Sequence, residues 1–329
     1  MSSAIVLGIL AVLLLMALPV ATHVSSSTNT TAATRTDSNQ TEASEQTIDV
    51  YQNPLVGILA NELETRINKS GAILEITSRL PEVNSAPFAS SISTELHGIP
   101  RDADIPKRKV AQDILAADKD FQVIFFLMPN GDMYLEEPYS LQENLTRNNF
   151  AFRDYYKGAV ETGNTYLGNV IISAATGSPQ AYIATPVYSE NSNDGTHLVG
   201  LWTVGLNLTN LSKSLQSLNL TSNGEHIVYV DGQGQKVADS NGSQSLLTAN
   251  IPTTQNESSF ADLEAFKNAI NGQSGSTTEM INGNMVLISY HPVNTFSNVW
   301  AVLFMEPYPL TEIRSSSSDV SSYHHHPHY

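Results

Sequence analysis

Cysteine is absent from the 329 residues. That excludes disulfide frameworks, thiolate zinc sites, cysteine nucleophiles and a lipid anchor on cysteine. Basic residues are scarce: 16 Lys plus Arg stand against 32 Asp plus Glu, a formal net charge of −16. A surface of that sign repels phosphate backbones and excludes nucleic-acid binding as the main task. Catalytic motifs are missing too, with no Gly-x-Ser-x-Gly, His-Glu-x-x-His or phosphate-loop pattern. His23, His97, His197, His226 and His291 are scattered without a ligand-spaced partner. His324, His325, His326 and His328 cluster in the C-terminal SSYHHHPHY, where imidazoles could hold a transition metal, but a disordered tail is the simpler expectation. No cofactor, metal or enzymatic activity is therefore assigned. Hydrophobic residues still make up 41% of the chain, enough for a core and for two domains of ordinary size.

The one long apolar run is at the N-terminus. Every residue from Ala4 to Ala21 is apolar, Gly or Pro, which fits a signal peptide or a membrane anchor. No Lys or Arg precedes it, so its orientation is not readable from charge. Residues after about 24 are expected to be exported. From Ser25 to Asp49, twelve of 25 positions are Ser or Thr. Such a segment cannot bury enough apolar area to offset its chain entropy and reads as a flexible stalk. Nine Asn-x-Ser/Thr acceptors, at Asn29, Asn39, Asn68, Asn144, Asn207, Asn210, Asn219, Asn241 and Asn256, point to a glycosylated outer surface, or to the chance yield of an Asn/Ser/Thr-rich composition.

Folded structure begins near Asn53. Leu55, Leu59, Leu63 and Ile67 recur every four residues, and Pro81 stops a run that predicts one amphipathic helix over 53–80. Gly71 is its weak point, and Lys107 to Ala117 predicts a second helix. Then the period changes. Gln122 to Met128 predicts a strand, Pro129-Asn-Gly-Asp132 a hairpin turn, and Met133 to Leu135 the return. Further strands are predicted over Thr165–Ser173, Gln180–Tyr188 and His197–Leu206, with a helix over Leu208–Leu218. From His226 the pattern restarts: a strand, an Asp-Gly turn, a strand to Val237, a helix near Phe260–Ile270, and strands around Met285–His291 and Asn298–Met305. This is an α+β fold in which one antiparallel-sheet module is used twice.

A long N-terminal helix followed by two such modules resembles the double Cache family, the PAS-like extracellular sensor domains of chemoreceptors and histidine kinases. The resemblance covers roughly residues 50 to 308. It rests on the hairpin Phe125-Phe-Leu-Met-Pro-Asn-Gly-Asp132, the Arg-x-aromatic-Tyr segment Asn149-Phe-Ala-Phe-Arg-Asp-Tyr-Tyr156, the strand Thr176 to Val187, the second opening Val228-Tyr-Val-Asp-Gly-Gln-Gly234, and Ser289-Tyr-His-Pro-Val293 with Trp300. It implies a leader or anchor over 1–24, a stalk over 25–52, the long helix over 53–80, a membrane-distal ligand-binding module over 81–218, a membrane-proximal module over 219–310 and a disordered tail over 311–329.

It also implies a site. Arg153, placed just before a strand and among Phe150, Phe152, Tyr155 and Tyr156, can take a carboxylate with two parallel hydrogen bonds. The aromatic rings add apolar faces, hydroxyl groups and a cation–π surface. The expected binding set is Arg153, Tyr155, Tyr156, Phe152, Ser173, Tyr182 and Gly205. Members that bind amino acids add carboxylates for the ligand's ammonium group; here the matching positions hold Ser173 and Gly205, neither of which can neutralise it. The resemblance therefore implies an organic acid or other small anion rather than an amino acid. In the alternative, Arg153 pairs with Asp154, Glu161 or Asp194 and the pocket is vestigial. Asp132, Glu136 and Glu137 read as a solvated acidic edge.

No apolar run of spanning length follows residue 24, so the chain is expected to lack its own output domain and to act with a separate membrane signalling partner. The long helix could also pair two copies into a homodimer, though packing on its own sheets explains the same stripe. The contrasting reading is a structural or adhesive surface protein that uses the fold only for protein contacts.

Overall fold

The computed structural model describes residues 53–189, 197–222, 224–242 and 260–308. The leader, the stalk, the His-rich tail and the loop with Asp194 lie outside the described residues, as does the acceptor Asn256. Among those described, no helix is long and apolar enough to cross a membrane.

The stripe of every fourth residue becomes helix α1, Leu55–Ser78. Val56, Leu59, Leu63, Ile67, Ile73 and Leu74 are buried on its inner side, and Ile58 is its exposed large hydrophobic. The stripe is spent on the chain's own two sheets. Near the helix start, His291 lies against Gly57 and Glu64 accepts a hydrogen bond from the Asn294 N–H at 2.7 Å, both on the second sheet. Near its end, Thr77 accepts from the Trp202 indole at 3.0 Å on the first. The helix runs unbroken through Gly71, where an added Cβ would lie 2.8 Å from the Phe296 ring. The predicted weak point is thus a close-packing position.

Helix α2, Ile105–Ala117, is capped by the Asp104 side chain, which accepts from the Lys107 N–H. The first sheet follows. It comprises β1 (Phe121–Leu127), β2 (Met133–Glu137), β3 (Tyr166–Leu167), β6 (Tyr182–Tyr188) and β7 (Leu198–Leu206), in the order β2-β1-β7-β6-β3. After α5 (Leu208–Ser217), the second sheet comprises β8 (His226–Val230), β9 (Lys236–Asp239), β10 (Gly275–Ile281), β11 (Asn284–Asn294) and β12 (Val299–Pro307), in the order β10-β11-β12-β8-β9. Read from its hairpin edge, each sheet has the same strand sequence, and all pairings are antiparallel. The repeated module seen in the sequence is therefore also repeated in topology. A common core lies between α1 and the inner faces of both sheets, with Trp202 and Trp300 fully buried.

Five elements depart from expectation. The single strand over Thr165–Ser173 is two fragments, β3 and β4 (Ile171–Ile172), the latter pairing with β5 (Pro179–Gln180) away from the main sheet. Two side chains pull the chain off the sheet: Asp154 accepts from the Asn169 N–H and Asp231 from the Val170 N–H, each at 2.8 Å. Arg153 precedes a helix, α4 (Asp154–Thr162), rather than a strand; Gly158 inside it lowers the local helix propensity that would have announced it. A five-residue helix, α3 (Tyr139–Glu143), follows β2. Strand β10 is an edge strand whose outer positions are polar or exposed, so it carries little of the alternation that marks a half-buried strand. The predicted helix near Phe260–Ile270 is a 3-10 turn, Phe260–Asp262, and helix α6, Glu264–Ile270.

Candidate functional site

The outer face of the first sheet, away from α1, carries a second apolar cluster. Phe125, Tyr155 and Tyr182 form its centre, with the Tyr155 and Tyr182 rings 5.0 Å apart and Phe125 edge-on to both. Helix α4 covers this face and brings Tyr155 down onto it. Between helix, sheet and the turn 173–175 is a cavity of about 10 Å3. That is room for one water, so a ligand larger than water requires the covering turn or helix to part from the sheet.

The predicted residues divide at this cavity. Arg153, Tyr155, Ser173 and Tyr182 line it; Phe152, Tyr156 and Gly205 do not. Arg153 is the N-cap residue of α4. One end of its guanidinium donates to the Ile172 carbonyl at 3.0 Å, while its Nε is buried without a partner. It makes no ion pair with Asp154 or Glu161 among the described residues; the Asp154 carboxylate is taken by the N–H groups of Tyr155 and Asn169. Phe152 is 46% exposed and stacks outside the cavity against Arg153 and Arg147, 4.7 and 4.3 Å from its ring centre. Tyr156 turns away and donates its hydroxyl to the Pro129 carbonyl. The Tyr182 hydroxyl donates to Gln180 at 2.8 Å. Burial raises the hydroxyl pKa of Tyr155 and Tyr182, so both stay protonated.

Gly205 faces the same side of the sheet, paired with Val123 and Tyr182. A Cβ there would meet Val123 at 2.4 Å and the Gln180 amide at 2.7 Å. The absence of an acidic residue at this position thus has a packing counterpart, since Val123 and Gln180 take up the space. Gly205→Asp is expected to destabilise the fold by about 2–4 kcal/mol, from overpacking plus a buried charge. An unchanged thermal melt would show that Gln180 simply swings aside.

The expected binding set missed the apolar lining from Phe125, Met133, Leu145, Phe150, Ala174 and Ala175 and, among the described residues, the cavity's one carboxyl. Glu136 is 3% exposed and Glu137 4%, so the expected solvated acidic edge is a pair of buried carboxyls; only Asp132 of the three is partly exposed. Glu137 points to the inner face and pairs with Arg108 at 3.1 Å. Glu136 points into the cavity, where its Oε2 is buried without a hydrogen-bond partner. Burial pushes its pKa up to about 8. The side assignment comes from a register shift between Phe126 and Leu127, which pair with Leu135 and Met133 respectively. Beyond it Glu136 stands opposite Phe125 of the cavity face, and Glu137 opposite Ile124 of the inner face.

Two wider clefts exist. One, about 320 Å3, lies between α1 and β6 and is lined by Glu75, Arg79, Thr185 and Tyr188. The other, about 680 Å3, is an open groove on the second sheet with Met280, Met285 and Tyr308. Among the described residues, neither brings an unpartnered buried guanidinium nitrogen together with an unpartnered buried carboxyl oxygen, as the small cavity does.

The Cache domain family matches residues 38–312 of the chain. No curated protein matches the sequence. Among solved structures, the chain is similar to the ligand-binding domain of the Pseudomonas aeruginosa PAO1 amino acid chemoreceptor PctB in complex with L-Gln, at 18% identity and a TM-score of 0.52, over 83% of this chain and 97% of that one. The ligand-binding domain of PctC from the same organism, in complex with GABA, matches at 16% identity and 0.51, over 77% and 96%. That of the Pseudomonas fluorescens chemoreceptor CtaA with L-serine matches at 16% and 0.51, over 78% and 95%. At these identities the likeness is one of fold.

Proposed function

The chain belongs to the Cache domain family and has its double Cache architecture, and from this premise we propose that it is the ligand-binding part of an extracytoplasmic sensor. Residues 81–218 form the module that takes a small molecule bearing a carboxylate; residues 219–310 form the module nearer the membrane. The N-terminal apolar run exports or anchors the chain, and a separate membrane partner carries the signal onward. The observation that supports the reading is Arg153, a guanidinium with a buried unpartnered Nε in an aromatic-walled cavity. A cation so placed is half-satisfied, and a carboxylate would complete it with charge-assisted hydrogen bonds. Tyr155, Tyr182 and Phe125 would close around the ligand's carbon skeleton.

The test is calorimetric and thermal-shift titration of the full chain with small carboxylates, amino acids and 4-aminobutanoate, alongside Arg153→Ala and Arg153→Lys. Ligand at 100 times its Kd should add about 2.7 kcal/mol of stability. Arg153→Ala should weaken binding about 10- to 100-fold, the worth of a charge-assisted pair, and Lys should recover only part because it lacks the planar fork. Binding that survives Arg153→Ala unchanged would discard this site. No binding by any compound would turn the case toward a surface protein that uses the fold for protein contacts.

A further inference from the structure

We propose that Asp231, a residue of the second module, is a positioning residue for the cavity of the first: it fastens the strap 167–172 that leads into the covering turn, so that opening the cavity for a ligand pulls on the second module. The inference rests on the reading of the cavity given above and adds how its occupancy is passed on.

The strap leaves the first sheet at Leu167, the last residue of β3, and enters the covering turn at Ser173. Between these points it is held from two sides. Toward the cavity, Asp154, the first residue of α4, accepts the Asn169 N–H at 2.8 Å and the Tyr155 N–H at 2.7 Å. The Ile172 carbonyl accepts from Arg153 at 3.0 Å. Toward the second module, Asp231 accepts the Val170 N–H at 2.8 Å, and Asn169 accepts the Gly232 N–H at 3.2 Å. The Ser297 hydroxyl accepts the Leu167 N–H at 2.8 Å, and Asn298 donates to the Leu167 carbonyl. Consecutive N–H groups, at Asn169 and Val170, are thus held by the helix over the cavity and by the other module. Their two rigid peptide planes meet at one Cα, so a displacement of α4 reaches Asp231 across a single residue.

Asp231 divides its two carboxylate oxygens between the modules. It follows β8 and is fully buried. Its Oδ1 accepts the N–H groups of Gln233 and Gln235 in its own turn, each at 2.9 Å, while Oδ2 accepts that of Val170. Hydrogen bonds to an ionised acceptor are stronger than neutral ones, so the turn fixes the side chain and the side chain fixes the strap. Close packing leaves little slack. A Cβ at Gly168 would lie 2.5 Å from Oδ1 of Asp154, and one at Gly232 3.3 Å from Oδ1 of Asn169. The cavity has room for one water. A larger ligand parts α4 or the covering turn from the sheet, and both are tied to the strap. Binding in the first module and the contact between modules are then linked, and such a link is reciprocal.

The test is amide hydrogen exchange on the full chain, unaltered and with Asp231→Asn. The amide has the shape of the carboxylate: its oxygen keeps the two N–H groups of the turn, and its NH2 faces the Val170 N–H. The variant therefore breaks the bond between modules and spares the turn. Without ligand, exchange should quicken about tenfold or more at Ser173 and Gly177 of the covering turn, which bond to Ser178 and Ser173, and at Lys157, which bonds to Arg153. Strands β6 and β7 should not change. Quickening confined to 168–172 and 231–235 would overturn the proposal, since Asp231 would then order only its own surroundings. Equal quickening in β6 and β7 would mean general destabilisation and would overturn it too. Asn169→Ala removes the acceptor for Gly232 and keeps the Asn169 N–H on Asp154; it should act in the same direction and serves if the first variant fails to fold. A second arm adds 4-aminobutanoate or butanoate. A probe that slows exchange in α4 should also shift exchange at 232–235 by at least about fivefold, and in Asp231→Asn it should keep the first effect and lose the second. Protection of α4 with no change at 232–235 would overturn the transmission and leave the carboxylate site intact. If neither acid binds, the site reading falls, and exchange in the ligand-free chain still decides whether Asp231 holds the covering turn.

Discussion

Glu136→Gln is expected to raise the melting temperature by roughly 5–10 °C at pH 7 and by under about 3 °C at pH 5. The folded protein holds this carboxyl at about 8 against an ordinary 4.5. With the folded value raised, the unfolded chain ionises first. The folded state pays no penalty below about 4.5, and stability falls steadily as pH rises from there towards 8. At pH 7 the group costs at most roughly 3 kcal/mol, and at pH 5 under roughly 1. An amide of the same shape has no such pH dependence. Melts of both proteins from pH 5 to pH 8 would check it, and parallel curves would show that Glu136 is ionised or solvated after all. A residue that destabilises its own fold by this amount at neutral pH is a candidate for function.

Arg108→Met is expected to have the opposite and larger effect, a loss of about 3–5 kcal/mol and a fall of roughly 6–20 °C in melting temperature. Arg108 is 2% exposed. Its guanidinium donates to the Glu137 carboxylate, to Gln142 and to the carbonyls of Ile99, Pro100, Ala103 and Glu136. Truncation leaves Glu137 buried without its counter-charge. The double variant Arg108→Met/Glu137→Leu removes that stranded charge and should recover part of the loss, but not all of it, because the carbonyls still lack donors. Full recovery would mean that those carbonyls find water, and that Arg108 serves the ion pair alone. Because Arg108 also holds the Glu136 carbonyl, the single variant should weaken ligand binding beyond its effect on stability.

Much of the architecture was legible because it is written in local periods. The four-residue recurrence from Leu55 to Ile67 predicts α1, and the turn at Asn130-Gly131 predicts the β1–β2 hairpin. The restart at His226 predicts the second module, which the shared strand order of the two sheets bears out. What failed did so where distant side chains overrule the local pattern. The strand expected over Thr165–Ser173 is broken by Asp154 and by Asp231, the latter from the other module. Helix α4 is hidden by Gly158, and β10 by the polarity of a sheet edge.

The binding set divides along the same line. The order Arg153-Asp154-Tyr155 is enough to mark a cation beside aromatic rings, because neighbours in sequence must be neighbours in space. Which of those rings face inward depends on how α4 lies on the sheet. It turns Tyr155 in and leaves Phe152 and Tyr156 outside the cavity. Composition and periodicity determined a sulfur-bridge-free, two-module α+β protein with a guanidinium among aromatics. Tertiary structure alone decided the second charged group. Glu136 and Glu137 are adjacent, identical and indistinguishable in the sequence. The irregular register between β1 and β2 sends one to Arg108 in the core and the other, unpartnered, into the cavity. Side chains alternate along a strand, so a single extra residue upstream exchanges their faces.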